Sequence, residues 1–274
     1  MAPTTSSSTG WLSYDSVAAA YEAEAVPRFT PVARDLVAAL APSPHEIVLD
    51  VGTGTGLIAR TISGSEPLAR VVGVDPSLAM LAVARATSGH VVVTAAMAPG
   101  LPYRDGTFDA VVANLVISHL PDRHRGLADL VRVLRADGRL ACSAWAAPVP
   151  AAPDNQRPAA ERIVDQIRAD LGIDATPPVQ AVPWEEWLRD PDHLREALGD
   201  AGLDALTLQR HEYHHALSVP QFLAGWGSRD RYVRHTVGEQ RWQHFVARAG
   251  TALRHTFGAA IPAVSHVWIA IGTR

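Results

Sequence analysis

The sequence predicts an α/β fold built on a doubly wound, mostly parallel sheet of seven strands. Short apolar segments that suit buried strands alternate with helix-forming segments along most of the chain. A glycine-rich turn follows the first strand, and a carboxylate ends the second. Both features are typical of a parallel sheet that binds a ligand at the carboxyl ends of its strands. The predicted strands cover residues 47–51, 71–74, 91–93, 108–114, 139–145, 205–213 and 266–271.

Predicted helices separate these strands. Two of them, at 17–24 and 31–40, precede the first strand, and the helix at 77–86 begins after Ser77, which supplies an N-cap. The strand at 108–114 is rich in alanine and valine, which suits a position covered on both faces of the sheet. The remaining predicted helices cover residues 56–63, 123–134, 161–171 and 191–201.

The clearest change of composition is an Ala- and Pro-rich stretch at 146–153, which predicts a boundary between a ligand-binding core and an inserted helical cap. The Ser- and Thr-rich start of the chain predicts a disordered tail. The predicted division is a tail at 1–10, a core with N-terminal lid helices at 11–146, a cap at 147–204 and 214–262, and the last core strands at 205–213 and 263–274.

The composition excludes several functions. A net charge of −4 over 274 residues provides no basic surface for nucleic acid. No apolar run approaches about 18 residues, so no membrane span is expected. The N-terminal residues lack the basic and apolar regions of a signal peptide, and a single cysteine, Cys142, cannot form an internal disulfide. We therefore expect a cytoplasmic protein.

The turn after the first strand is the most informative motif. Gly52, Gly54 and Gly56 stand at alternate positions between a predicted strand and a predicted helix. Glycine lets a ligand approach the backbone where no Cβ intervenes, and the helix start offers free N–H groups. Asp75, which ends the second strand, is placed to accept hydrogen bonds from two ribose hydroxyls.

Two ligands that contain ribose fit this arrangement, a dinucleotide and S-adenosylmethionine (SAM). A dinucleotide site requires the spacing G-x-G-x-x-G, whereas this chain has G-x-G-x-G, with Leu57 in place of the third dinucleotide glycine. Asp50, just before the turn, would repel a pyrophosphate. A carboxylate there suits a ligand that carries an amino group and a sulfonium, which favours SAM.

Four segments in this order resemble the class I SAM-dependent methyltransferases, in particular the small-molecule branch of the ubiquinone and menaquinone biosynthesis type (methyltransferase type 11). The resemblance implies a Rossmann-like methyltransferase fold, SAM as cofactor and S-adenosylhomocysteine (SAH) as product. It covers the cofactor half of the chain well and the substrate half poorly. The segments are VLDVGTGTG (48–56), VVGVDPSLAMLAVA (71–84), LPYRDGTFDAVVANLVISHLPD (101–122) and LVRVLRADGRLACSAW (130–145).

The resemblance also assigns residues to parts of the cofactor. The turn glycines make room for the methionine part and the ribose, and Pro76 and Met80 flank the adenine, although Met80 equally suits the core of its own helix. The family usually carries an acid for the adenine amino group where this chain has Met97, so apolar contact and the backbone of Met97 and Ala98 are expected to hold the ring. The predicted cofactor residues are Tyr14, Tyr21, Asp50, Gly52, Thr53, Gly54, Gly56, Asp75, Pro76, Met80, Met97, Ala98 and Asn114.

Three residues are candidates for contact near the transferred methyl group: two tyrosines from the list above and one histidine. Tyr14 and Tyr21 lie seven positions apart and share one face of the predicted first helix, which covers the cofactor in the family; simple core packing is the alternative. His119 follows the fourth strand at the ligand-binding edge and is the candidate general base. Its alternative role is that of a cap or loop anchor.

A cluster of histidines and a set of tryptophans fall in the half of the chain that the family resemblance covers poorly. Histidine is a common zinc ligand, and three occur close together at His211, His214 and His215. On a strand, however, His214 points away from the other two, and no cysteine accompanies them. We therefore predict no metal site and assign these histidines to the lining of the substrate cavity. Four tryptophans line an acceptor pocket or form the cap core, namely Trp184, Trp187, Trp226 and Trp242.

The sequence thus predicts methyl transfer from SAM to an O, N or C atom of an apolar or aromatic small molecule. Heavy use of Ala, Arg and Pro without any Lys is typical of high-GC actinobacteria and indicates natural-product biosynthesis. A homodimer is compatible with the sequence. The alternative is an enzyme that binds SAM in this fold while catalysing a cyclisation, rearrangement or decarboxylation. A regulatory SAM-binding module is disfavoured by the size of the cap.

Overall fold

The computed structural model describes residues 14–15, 17–88, 91–148, 155–173, 184–223 and 228–274. The predicted tail at 1–10 and the predicted pocket residue Trp226 lie outside these described residues. Within them, no helix has both the length and the apolarity that crossing a membrane requires.

A seven-stranded sheet organises the molecule, with the strand order β3-β2-β1-β4-β5-β7-β6. The first five strands pair in parallel, whereas β7 runs antiparallel to both of its neighbours. The predicted doubly wound, mostly parallel α/β fold is therefore confirmed. The strands are β1 (Ile47–Val51), β2 (Arg70–Asp75), β3 (Val92–Ala95), β4 (Phe108–Asn114), β5 (Leu134–Trp145), β6 (Asp204–Ser218) and β7 (Ala260–Thr273).

Helices cover both faces of the sheet, so its central strands are apolar on both sides. The helices are α1 (Ala18–Ala20), α2 (Val26–Leu40), α3 (Leu57–Ser65), α4 (Leu78–Thr87), α5 (Arg123–Arg132), α6 (Arg157–Asp170), α7 (Glu185–Leu188), α8 (Pro191–Asp200), α9 (Val219–Leu223), α10 (Ser228–Val237) and α11 (Glu239–Phe257). In β1, Leu49 belongs to the apolar cluster beneath α5 and α8, while its neighbour Val48 belongs to the cluster beneath α2 and α3.

The N-terminal helical region differs from the two separate helices predicted at 17–24 and 31–40. α1, a π-helical turn at Tyr21–Ala25 and α2 follow one another without a break. The first proline of α2 is tolerated because it lies in the first turn, where an N–H has no helical partner. Pro31 occupies an exposed position inside α2, and the buried Leu36 and Leu40 hold the helix on the sheet despite the cost of that proline.

The last two strands are longer than the segments predicted at 205–213 and 266–271. β6 and β7 form an antiparallel ribbon that stays paired as far as Ser218 and Ala260. Because β6 is the edge strand, most of its side chains alternate between half-buried and exposed positions, and no apolar run marks its end. α6, α9 and α11 pack around a separate apolar cluster beside this ribbon, and the buried Trp242 belongs to the core of that cluster.

Candidate functional site

A cavity of about 450 Å³, called the first cavity below, opens where β1, β2 and β4 end. Loops that follow these parallel strands form its walls, which is the usual position of a ligand in a doubly wound fold. Asp50 and Gly56 do not line this cavity. The predicted site residues that do line it are Tyr14, Tyr21, Gly52, Thr53, Gly54, Asp75, Pro76, Met80, Met97, Ala98, Asn114 and His119.

The three glycines of the turn share a left-handed backbone but differ in what surrounds them. The φ angle is +67° at Gly52, +53° at Gly54 and +89° at Gly56, a region that disfavours any side chain. A Cβ on Gly52 would lie 2.3 Å from Cγ2 of Val116. A Cβ on Gly54 would meet no atom closer than 4.0 Å. Of the three, Gly54 is the position where the missing side chain leaves open space for a ligand.

Gly56 lies outside the cavity wall, although its neighbours Thr55 and Leu57 both line it. Its predicted role, to make room for the ligand, stays a prediction. A Cβ at this position would lie 2.7 Å from Oγ of Ser88 and 3.3 Å from Cβ of Ala84. The missing side chain of Gly56 therefore lets the start of α3 pack closely against the end of α4.

Asp50 lies beneath the turn and not in the cavity wall, which corrects its predicted position as a direct contact. Its Oδ2 accepts a hydrogen bond of 2.6 Å from the hydroxyl of Thr53, so the carboxyl group fixes the shape of the turn. Desolvation raises the pKa of Asp50 to about 7, and the charge of Asp75 contributes to the same rise. Positive charge in the adjoining cavity would favour the ionised form of this buried acid.

Asp75 ends β2 and lines the cavity. Its Oδ2 accepts from the N–H of Gly54 at 3.0 Å, and its Oδ1 accepts from the N–H of Ser77 at 2.8 Å. Burial raises the pKa of Asp75, while these two backbone donors oppose the rise. The carboxylate thus joins the glycine turn to the start of α4 and keeps further lone pairs for donors that enter the cavity.

α4 begins after Ser77, as predicted, because the hydroxyl oxygen of Ser77 accepts from the N–H of Met80 at 3.1 Å. The same hydroxyl donates to Oδ1 of Asp15 at 2.6 Å, which attaches the N-terminal segment to the rim of the cavity. Met80 is buried and also lines the cavity. Its two predicted positions, helix core and cavity wall, therefore coincide.

Met97 lies at the mouth of the cavity, with 47% of its surface exposed. The chain that follows is held by Asp129, whose Oδ2 accepts from the N–H groups of Gly100 at 2.6 Å and Leu101 at 2.8 Å. Burial would raise the pKa of Asp129, but these bonds and Arg132 lower it by more. An ionised anchor therefore fixes the loop that carries Met97 and Ala98.

Tyr14, Tyr21 and His119 meet on the outer side of the cavity. The ring of Tyr14 lies 5.9 Å from that of Tyr21 and 6.3 Å from that of His119, measured between centroids. Tyr21 also stacks on Phe29 at 6.2 Å. The two tyrosines do not share one face of an α-helix, because Tyr14 precedes α1 and Tyr21 begins the π-helical turn. Tertiary contact brings them together instead.

The end of β4 is shaped by Ser143 on the neighbouring strand. The hydroxyl of Ser143 donates to Oδ1 of Asn114 at 2.7 Å and accepts from the N–H of Leu115 at 2.9 Å. Leu115 has a φ of +56°, so the extended strand stops there. The chain then enters a short 3-10 turn, Ile117–His119, that places His119 at the cavity.

A second cavity, of about 440 Å³, lies on the other side of these aromatic residues. Its remaining walls come from the end of β5, from β6 and β7, and from α2, α6, α7 and α9. Five residues line both cavities and are called the shared wall below, namely Tyr14, Tyr21, Phe29, Leu115 and His119.

Sequence reasoning missed the residues that characterise the second cavity. Trp145 ends β5, so the rule that ligands bind at the carboxyl ends of parallel strands could have found it. Arg28 and His266 carried no such signal, because only the packing of α2 and β7 brings them to this cavity. Nε2 of His266 lies 3.0 Å from Oε2 of Glu212 on the paired strand.

The prediction that three histidines of β6 line the substrate cavity is not met by either cavity. His211, His214 and His215 line neither of them, whereas Leu217, further along β6, lines the second cavity. Nε2 of His214 lies 2.7 Å from a carboxylate oxygen of Glu212, and Nδ1 of His211 lies 3.3 Å from Asp35.

Trp184 and Trp187 also line neither cavity. The guanidinium of Arg123 packs on their rings, 4.9 Å from the centroid of Trp184 and 3.6 Å from that of Trp187. Both tryptophans pack against the apolar cluster beneath α5 and α8. Both tryptophans therefore contribute to the apolar packing on this face of the sheet.

Residues 49–142 match the family described as "Methyltransferase domain", and this segment contains the glycine turn, Asp75 and His119. This segment is about a third of the chain, and it is similar to the methyltransferase domains of known methyltransferases. The ubiquinone/menaquinone biosynthesis C-methyltransferase UbiE of Citrifermentans bemidjiense is 33% identical over 108 residues, which is 37% of this chain and 46% of that protein. The demethylmenaquinone methyltransferase of Thermus thermophilus is 41% identical over 106 residues, 37% of this chain and 48% of that protein. The chain thus matches about half the length of these curated relatives.

Solved structures share the fold of the methyltransferase domain together with most of the remaining chain. A putative methyltransferase from Bacillus halodurans superposes with a TM-score of 0.54 at 21% identity, covering 88% of this chain and 97% of that one. The [4+2]-cyclase SpnF superposes with a TM-score of 0.53 at 19% identity, covering 89% of this chain and 80% of that one.

Proposed function

We propose that this chain transfers the methyl group of SAM to an O, N or C atom of a small molecule, in natural-product biosynthesis. One observation carries the proposal: two cavities of similar volume share the wall formed by Tyr14, Tyr21, Phe29, Leu115 and His119. A cofactor in the first cavity and an acceptor in the second would meet at this wall. Such a meeting point supplies the proximity that methyl transfer requires.

In this proposal the first cavity holds SAM. Asp75 accepts hydrogen bonds from the ribose hydroxyls, and Gly54 lets the cofactor approach the backbone. Met97 and Ala98 contact the adenine from the mouth of the cavity. Asp50, buried beneath the turn, favours a cofactor with positive charge over one with a pyrophosphate.

The reaction is an in-line displacement at the methyl carbon. A lone pair of the acceptor atom forms the new bond to carbon while the carbon–sulfur bond breaks, and its electrons return to sulfur to give neutral SAH. The acceptor atom must be held about 3 Å from the methyl carbon, and water must be excluded. The rings of the shared wall perform both tasks. An acceptor that is protonated at neutral pH also loses a proton, to a base or to solvent.

The second cavity holds the acceptor, and its walls define the division of the chain. α6 and α9 of the cap line this cavity together with core residues, among them Arg28, Trp145 and Ser265. We therefore propose that the core at 11–146 binds the cofactor, and that the cap at 147–204 and 214–262 binds the acceptor together with the core residues that face it.

His119 is the proposed base, because it belongs to the shared wall. We expect His119→Ala to lower kcat by about 10²–10⁴-fold while SAM affinity stays within a factor of two or so. Initial rates at saturating SAM, with calorimetry of SAM binding, measure both quantities. His255→Ala, on the exposed side of α11, is the control and should match the parent enzyme. If the His119 variant keeps most of its rate, the residue only shapes the wall, and proximity alone drives transfer.

Isotope transfer tests the function itself. The protein is incubated with SAM labelled in its methyl group and with an extract of small metabolites, and the products are followed by mass spectrometry. We expect labelled product and SAH in equal amounts. A product that forms without label and without SAH would replace methyl transfer by the alternative, a cyclisation, rearrangement or decarboxylation. That alternative is kept because one neighbour in fold is the [4+2]-cyclase SpnF.

A further inference from the structure

Arg28 on α2 is a partly buried cation that lines the second cavity. Its Nη2 donates to the hydroxyl of Ser265 at 3.3 Å. Its Nε has neither solvent contact nor a hydrogen-bond partner among the described residues. Buried polar nitrogens in folded proteins nearly always have a partner, so the described residues satisfy this guanidinium only in part.

The carboxylates around this cavity do not neutralise Arg28. Glu161 pairs with Arg157 at 2.8 Å, and Glu185 pairs with Arg189 at 3.1 Å. Glu24, one turn before Arg28, also lines the cavity but is exposed, and no ion pair joins Arg28 to a carboxylate of the described residues. Of the described arginines that line the cavity, Arg28 is thus the one without an ion-pair partner.

The surroundings of Arg28 make its charge costly. Burial lowers the pKa of Arg28 to about 10, and the positive charge of Arg157 adds to this effect. The guanidinium carbon lies 5.4 Å from the ring centroid of Phe29 and 5.9 Å from that of Trp145. These aromatic faces offer weak attraction to a cation but no acceptor for its N–H groups. An anion in the cavity would pair with the guanidinium and relieve the cost of the buried charge.

We propose that Arg28 is the anchor of a carboxylate subsite, so that the methyl acceptor is a flat aromatic acid. The inference rests on the proposed function, because it names the class of molecule that the second cavity accepts. A guanidinium presents its donors in a planar fork that matches the two oxygens of a carboxylate. Phe29 and Trp145 contact the ring of the acid, which orients it toward the shared wall. This refines the apolar or aromatic acceptor expected from the sequence.

The experiment measures binding of 2-naphthoate and of its neutral amide, 2-naphthamide, to the protein loaded with SAH. We expect the acid to bind at least about tenfold more tightly than the amide, since charge-assisted hydrogen bonds are the strong ones. Arg28→Met should abolish this preference, and Arg28→Lys should keep part of it. Arg248→Met removes one positive charge from the surface of α11 and should leave the preference unchanged.

The stability of each variant separates a ligand site from a structural role. If Arg28 serves to bind an anion, its charge is not compensated when no ligand is bound. Without ligand, Arg28→Met should therefore melt at or above the Tm of the parent protein. A lower Tm together with equal affinity for acid and amide in the parent protein would overturn the proposal, as would a preference that survives in Arg28→Met. Absence of saturable naphthoate binding to the SAH-loaded protein would also overturn it. Failure of SAH itself to bind would count against the proposed function instead.

Discussion

Asp75→Ala is expected to weaken SAM binding by about 2–4 kcal/mol, which is roughly 30- to 1,000-fold in Kd. The reason is that the carboxylate lines the first cavity while both of its oxygens are already fixed by backbone donors. In the proposed complex this fixed carboxylate accepts from two ribose hydroxyls, so its removal costs the complex two charge-assisted hydrogen bonds. Calorimetric titration with SAM measures the change.

The fold should survive this substitution. Burial raises the pKa of Asp75 in the folded protein, so folding disfavours its ionised form and the group becomes less stabilising as pH rises above the unfolded pKa. Removal of a desolvated charge offsets the loss of its hydrogen bonds to Gly54 and Ser77. Asp105→Ala, an exposed carboxylate paired with Arg132, is the control and should bind SAM normally. Unchanged SAM affinity in a folded Asp75 variant would show that the ribose lies elsewhere.

Gly52→Ala is expected to lower the free energy of unfolding by about 2–5 kcal/mol, from left-handed backbone strain and overpacking together. The new Cβ would lie 2.3 Å from Cγ2 of Val116, and a valine side chain has little freedom to move away. Denaturant titration at constant pH measures this loss. Because the turn carries the cavity wall, SAM affinity should fall as well.

A double-mutant cycle separates the two causes. Val116→Ala combined with Gly52→Ala should recover the steric part of the loss and leave the backbone part. Gly54→Ala is the matched control, because its φ is also positive but its Cβ would enter open space. Gly54→Ala should therefore cost only about 1–2 kcal/mol of stability. Equal losses at the two positions would contradict the packing assigned to Gly52.

The site residues that could be predicted are those whose positions are set by one short segment of the chain. The glycine turn and Asp75 follow directly from a strand, a turn and a second strand in sequence, and the structure places Gly52, Gly54 and Asp75 around one cavity. The packing at Gly56 could not be predicted, because the atoms it accommodates belong to Ser88 and Ala84 on another helix. Spacing alone does not distinguish a glycine that faces a ligand from one that faces a helix.

The second cavity depends on contacts between distant parts of the chain. Arg28 and Ser265 meet only because α2 packs beside β7, 237 positions later. His266 lies in β7, which is longer than the strand predicted at 266–271. Its partner β6 is an edge strand, and no apolar pattern in β6 marks the added length. The π-helical turn that positions Tyr21 also lacks a periodic signature. The sequence also predicts the histidines of β6 in the cavity lining, but they line neither cavity.

Direct titration of the purified protein with SAM, SAH and NAD tests the central claim, that the cavity at the ends of β1, β2 and β4 is a SAM site. We expect saturable binding of SAM and SAH at one site per chain and no heat with NAD, because the buried acid Asp50 disfavours a pyrophosphate and the G-x-G-x-G turn lacks the dinucleotide spacing of glycines. Micromolar binding of NAD with no heat from SAM would contradict the account.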